Sequence, residues 1–222
     1  MKTPLVLVLS VALVSVGFTI FGCTHQQVLS PIARAFGVPP ESELAACRLA
    51  YARLQGGLLR SRLLVEPVML APGGHRQWRG DLAQSIARTA SLRTHTRFDA
   101  TSTPPEVSFP EKMYHNQLRY LWDRSRDYER CVKSSPPSLD YVCFVEIFVG
   151  RQENGAPEKV AAIQVYVFEK QGQLAYTRLY NSAHFGPGLS LEGEAAVEFV
   201  AGSLADILHM APEQAFPPYG VG

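Results

Sequence analysis

From Leu139 onward the spacing of apolar residues changes from steps of three and four to steps of two. That change limits the chain to folds that join helices to an antiparallel sheet. Tyr141, Cys143, Val145, Ile147 and Val149 alternate along one face of a strand. Residues 150–157 read as a loop and 160–169 as a second strand. Residues 170–173 form a tight turn in which Gly172 supplies a positive φ, and 174–185 are the third strand of an antiparallel meander. A helix follows over 191–210, with Val197, Val200, Leu204, Ile207 and Leu208 as its apolar stripe, and it stops before Pro212.

Upstream, Ser42 can cap a helix carrying Leu44, Cys47, Tyr51 and Leu54 on one side and Arg48 and Arg53 on the other, closed by Gly56 and Gly57. Residues 63–70 are a β-rich run broken by Pro67. A loop at 72–74 leads to a helix started by Asp81, with Leu82, Ile86 and Ala90 on one side. Residues 94–101 look extended, and 103–110 are a proline-broken loop. Residues 114–132 form a helix with Leu118, Leu121, Trp122, Ser125 and Tyr128 facing the core. Its other side carries Arg119, Asp123, Arg126, Asp127 and Arg130, at spacings that permit ion pairs. Pro136 and Pro137 end it. The expected architecture is α/β: strand, helix, strand, helix, three-strand meander and C-terminal helix, a mixed sheet with helices packed on it.

The first residues have the layout of an export signal. Lys2 precedes an uncharged run over 5–20, and the segment Ile20-Phe21-Gly22-Cys23 resembles the lipobox of bacterial lipoproteins. The resemblance implies cleavage before Cys23, with a diacylglycerol on its sulfur and an acyl chain on its amine. Thr24, where an Asp would favour the inner membrane, implies the outer membrane, and the chain is expected on its periplasmic face. The reading divides the chain into a signal peptide at 1–22, a lipidated tether at 23–40, one domain at 41–212 and a proline- and glycine-rich tail at 213–222.

Without residues 1–22 the chain carries 20 basic and 20 acidic residues, which gives nucleic-acid binding little support. Residues 23–100 hold ten Arg and five acids, whereas 101–222 hold ten bases and fifteen acids. Two faces that complement each other within the domain, or a basic face for anionic ligands or lipid, would each account for this. Clustering of the ten arginines is the mark of the second. With Cys23 committed to lipid, Cys47, Cys131 and Cys143 remain. Cys131 and Cys143 flank the Pro136-Pro137 reversal and could pair across it; three unpaired thiols are the other reading.

Catalytic patterns are weak. Ala201-Gly202-Ser203-Leu204-Ala205 is not a nucleophile elbow, and Ser203 reads as helix packing. The six histidines are scattered without metal-ligand spacing, and Gly186-Pro187-Gly188 reads as a turn rather than an anion cradle. Glu146 interrupts an apolar strand between Phe144 and Phe148; a wet sheet face is the simpler expectation, a buried carboxylate the sharper one.

Over residues 61–210 the order of elements, the Asp140-Tyr141 opening of the meander, the turn at Gly172 and the aromatic Tyr176 resemble a group of periplasmic lipoproteins. That group includes the curli-secretion lipoprotein, the LpoB-type activators of penicillin-binding proteins and the N-terminal domain of TolB. The resemblance implies a non-enzymatic binding or assembly component of an envelope system, attached to the membrane through lipid, with an envelope protein or a second copy as partner. Metal sites and cofactors beyond the lipid on Cys23 are not expected. A periplasmic hydrolase without a recognisable motif, and a binder of small anions or lipid, are the alternatives.

Overall fold

In the computed structural model, residues 39–57, 60–72, 76–94, 96–109, 117–150, 159–191 and 194–216 are described. Helix α1 (Glu41–Gly57) precedes strands β1 (Leu63–Val65), β2 (Val68–Pro72) and β3 (Gln77–Arg79). Helix α2 (Gly80–Thr94), strand β4 (Phe98–Ala100) and helix α3 (Gln117–Ser134) follow. The meander is β5 (Tyr141–Gly150), β6 (Lys159–Glu169) and β7 (Leu174–Asn181), and the chain continues through α4 (Ser182–Phe185), α5 (Ala195–Asp206) and α6 (Pro212–Ala215). The expected α/β architecture is present: one mixed sheet of seven strands with helices packed on it.

Pro67 splits what would be a single strand. It has no N–H to give the ladder, so β1 pairs in parallel with the first part of β5 and with β4, while β2 pairs in parallel with the later part of β5 and antiparallel with β3. On its other edge β5 runs antiparallel to β6, and β6 to β7. At the turn between them Gly172 has φ +90°, and a Cβ there would come within 2.7 Å of Lys133 Cγ.

Every residue of β5 from Tyr141 to Ile147 is buried. Phe144 stacks on Tyr128 of α3 at 4.2 Å between ring centroids, so the even-numbered residues lie under α3. The odd-numbered ones face the opposite way, toward the helices on the other side. A strand covered on both faces corrects the expectation of a wet face around Glu146. It also separates two thiols: Cys131 is on α3, whereas Cys143, next to Phe144, points away from that helix. Both are free, as is Cys47, so the Cys131–Cys143 pairing is not formed.

Two boundaries also move. The third strand of the meander ends at Asn181 rather than Phe185. The Asn181 side chain accepts from the Ala183 N–H at 3.0 Å while His184 Nδ1 accepts from the Asn181 N–H at 3.2 Å, which caps α4. The last long helix covers Ala195–Asp206, shorter than 191–210. Beyond its end, the carbonyls of Ile207 and Met210 accept from the Tyr51 hydroxyl at 2.8 and 3.0 Å and from Gln55 Nε2 at 3.0 and 2.6 Å. Helix α1 therefore satisfies acceptors that a helix end leaves open. Tyr51→Phe removes two of these bonds and is expected to cost about 1–2 kcal/mol in urea-induced unfolding, with the native spectrum retained.

Candidate functional site

Two features stand out, both on the α3 side of the sheet. One is a buried polar plug. Glu146 is 0% exposed; its Oε2 accepts from the Tyr120 hydroxyl and its Oε1 from the Tyr128 hydroxyl, each at 2.8 Å. Arg124, also buried, places Nε 3.2 Å from Glu146 Oε1 and donates from it to the Tyr120 hydroxyl oxygen at 3.2 Å. Asp127, buried as well, lies 3.6 Å from Arg124 Nη1 and also pairs with Arg130. The Arg124 guanidinium sits 4.0 Å from the Phe109 ring centroid. Burial pushes the Glu146 carboxyl up, opposed by the Arg124 charge and the two tyrosine hydroxyls; burial and the Glu146 charge push the Tyr128 hydroxyl well up.

Each member of this plug is positioned by ordinary periodicity. Tyr120, Arg124 and Tyr128 follow one another at steps of four on α3, so all three project from one side of the helix onto the sheet. Neither Arg124 nor Tyr120 stands out in the sequence. The signal was there, though: Arg124 falls between Leu121 and Tyr128 on the apolar stripe. Asp127, expected on the outer face, is buried because Arg124 provides a cation at i−3. The expected surface pairs on α3 do form, Arg119 with Asp123 at 3.9 Å and Arg126 with Asp123 at 3.7 Å.

The other feature is a cleft of about 340 Å³ between the loop after β4 and the C-terminal end of α3. Its floor is Leu64, Val132, Val142 and Phe144; Thr103, Pro104, Pro105 and Glu106 form one wall, and Cys131, Ser135 and Pro137 the other. Glu66 lies in it at the β1–β2 break, held by a backbone bond from its N–H to the Cys143 carbonyl at 2.9 Å. Farther along the loop that walls this cleft, Phe109 is packed edge-on to Tyr128 at 5.4 Å and under Arg124.

The Glu66 carboxyl has no hydrogen-bond or ion-pair partner among the described residues, and burial pushes it up to about 7. The same carboxylate, with Glu106, raises the Cys131 thiol behind the larger effect of burial, and it raises Cys143 likewise. These are thiols held protonated, not activated nucleophiles. An acid whose folded pKa is raised keeps its proton in the folded state while the unfolded chain ionises, so stability falls as pH rises from about 4.5 to about 7. Glu66→Gln is therefore expected to match the native protein in thermal unfolding at pH 4 and to melt a few degrees higher at pH 8.

The other residues singled out in the sequence lie elsewhere. Ser203 donates to the Phe199 carbonyl at 2.9 Å within α5, as helix packing requires. Gly186 and Gly188 have φ +81° and +113° in a turn. Six of the ten arginines of residues 23–100 are ion-paired: Arg48 with Glu41, Arg53 with Glu169, Arg62 and Arg97 with Asp99, Arg79 with Asp81 and Arg93 with Glu198. These six are dispersed over several elements, unlike the clustering that an anion-binding face required. Among the described residues no group of His, Cys, Asp and Glu could hold a metal ion, and no helix is long and apolar enough to cross a membrane. Cys23 and the rest of the leader and tether up to residue 38 lie outside the described residues.

By architecture the chain is an α/β domain built on an open mixed sheet, with a covered polar plug and an acidic cleft on one face. No protein-family model matches it, and no curated protein does. Among solved structures it is similar to a PelC dodecamer from Paraburkholderia phytofirmans, at 16% identity and a TM-score of 0.32 over 69% of this chain and 87% of that one. It is similar also to the hypothetical protein CT253 from Chlamydia trachomatis, at 10% identity and a TM-score of 0.30 over 71% of this chain and 98% of that one. At such scores the functional reading rests on this chain's own residues.

Proposed function

We propose that the chain is a lipid-anchored, non-enzymatic binding or assembly component of a bacterial cell envelope, held at the periplasmic face of the outer membrane by acyl chains on Cys23. The observation that carries this reading is the Ile20-Phe21-Gly22-Cys23 segment behind an uncharged run, followed by a tether that ends where α1 begins at Glu41. Lipid on Cys23 confines the domain to the reach of that tether from a membrane surface, where the partner is another envelope protein or a second copy. The half-buried, unpaired Glu66 in an open cleft supports a binding role, since a carboxylate held out of water gains most when a ligand completes it.

The test is chemical cross-linking of the lipidated protein in intact cells, followed by outer-membrane isolation. A discrete cross-linked species in the outer-membrane fraction is expected. A protein that stays monomeric after cross-linking, or that fractionates with soluble periplasmic proteins, overturns the reading.

A further inference from the structure

The cleft beside α3 combines an apolar floor, a partly withdrawn carboxylate and a second carboxylate at its mouth. Its volume of about 340 Å³ is in the range of small-ligand sites, about 300–1,000 Å³. Among the described residues no basic side chain lines it, and Glu66 has no ion-pair partner there, where Asp127, Glu146 and Asp99 each have an arginine. Elsewhere in this domain acids taken partly out of water are matched by a cation from the same chain. At Glu66 no described residue supplies one, which leaves the carboxylate open to a cation from a partner.

The shape restricts what that cation can be. A compact metal ion would find no group of three or more His, Cys, Asp or Glu side chains among the described residues; beside the half-buried Glu66 the lining offers the exposed Glu106 and the hydroxyls of Thr101, Thr103 and Ser135. An alkyl stem ending in a charge fits both parts, because lysine and arginine lay their methylenes on apolar surface and extend the head to a polar partner. We infer that the cleft receives the side chain of a lysine or arginine presented by a partner polypeptide, with its methylenes on Val132, Val142 and Phe144 and its charge against the Glu66 carboxylate. Glu106 at the exposed mouth draws the cation in, and the rings of Pro104, Pro105 and Pro137 form apolar rims against which a backbone can rest. A free diamine would bring a second ammonium with no second buried carboxylate to receive it. The inference rests on the reading of the chain as a binding component and names the chemistry of its partner.

The experiment is a titration of the full mature protein in detergent, following amide chemical shifts, with the capped tripeptides acetyl-Gly-Lys-Gly-amide and acetyl-Gly-Arg-Gly-amide. The norleucine tripeptide, which keeps the stem and lacks the charge, and free cadaverine are run alongside. Shifts at Glu66, Thr103 and Cys131 are expected with the lysine or arginine peptide, with binding weakened at least about tenfold for norleucine and for Glu66→Gln. Thr103→Lys, at an exposed rim position, would supply an internal cation and is expected to block binding with Glu66 left in place. Equal binding of norleucine, undiminished binding by either variant, or no shift up to about 10 mM peptide overturns the inference. Tighter binding of cadaverine than of the peptides overturns the assignment to a polypeptide. In cells, a partner cross-linked equally to native and Glu66→Gln protein removes the cleft from the interaction and leaves the proposed function standing. Peptide binding without any cross-linked partner does the reverse.

Discussion

Replacing Arg124 with alanine is expected to destabilise the fold by about 3–5 kcal/mol, because it leaves the fully buried Glu146 without its cation. Part of that loss comes from Asp127, whose carboxylate also faces Arg124, and part from Phe109, which loses the guanidinium packed on its ring. Glu146 in the variant can escape by taking up a proton, so the loss at pH 8 should exceed that at pH 5: an uncompensated buried carboxylate has a raised pKa, and stability then falls as pH rises. Denaturant unfolding at both pH values measures this. Glu146→Gln retains an acceptor for the tyrosine hydroxyls while removing the charge. In an Arg124→Met, Glu146→Gln double variant the two changes should therefore cost less together than their sum, by about 0.5–3 kcal/mol. Strict additivity, or a loss below about 1 kcal/mol for Arg124→Ala, would show that the plug is not coupled as its geometry requires.

Cys23→Ala is expected to convert membrane-bound protein into soluble protein in fractionated cells and to abolish incorporation of labelled palmitate. Each methylene of an acyl chain buried in the bilayer contributes ~0.8 kcal/mol, and a single chain holds a protein only marginally, so two or three chains separate an anchored protein from a free one. The folded domain should be unaffected, since α1, the first described helix, begins at Glu41, 18 residues beyond Cys23. Mass spectrometry of the native mature protein should place Cys23 at its N-terminus, with the mass of the attached lipid. A Cys23→Ala protein that stays with the membrane would remove the foundation of the proposed function.

Much of the fold could be read from residue spacing, and the places where the reading failed share a cause. The steps of two from Tyr141, the turn at Gly172 and the strand break at Pro67 are local: each follows from the chain's own stereochemistry and appears where expected. The wet-face expectation for Glu146 rests on the rule that an antiparallel sheet commonly leaves one face in water. Val142, Phe144 and Phe148 make the other face apolar as well, which is the mark of a strand covered on both sides. Arg124 was passed over because a charged residue on an apolar stripe has no visible partner until another element brings one. Its partner is 22 positions away in sequence, on a strand whose direction and register depend on the whole sheet. The pairing of Cys131 with Cys143 failed for the same reason: proximity across a proline reversal says nothing about which side of the strand the second thiol takes.

The acidic cleft was the least legible feature. Glu66 is one acid beside a proline, and nothing in its neighbours distinguishes it from a solvated side chain. It becomes a site because Pro67 breaks the strand there, the C-terminal end of α3 lies on one side and Thr103, Pro104, Pro105 and Glu106 form the opposite wall. Sequence alone was sufficient for the period-two meander, the helices with their apolar stripes and the lipobox expectation at Cys23, since these depend on local spacing and on hydrophobicity summed over short windows. Tertiary structure alone decided which charges are buried, which acid lacks a cation among the described residues and which thiols face apart. Those outcomes depend on contacts between residues far apart in the chain, and their energies are set by solvent exclusion that no single segment produces by itself.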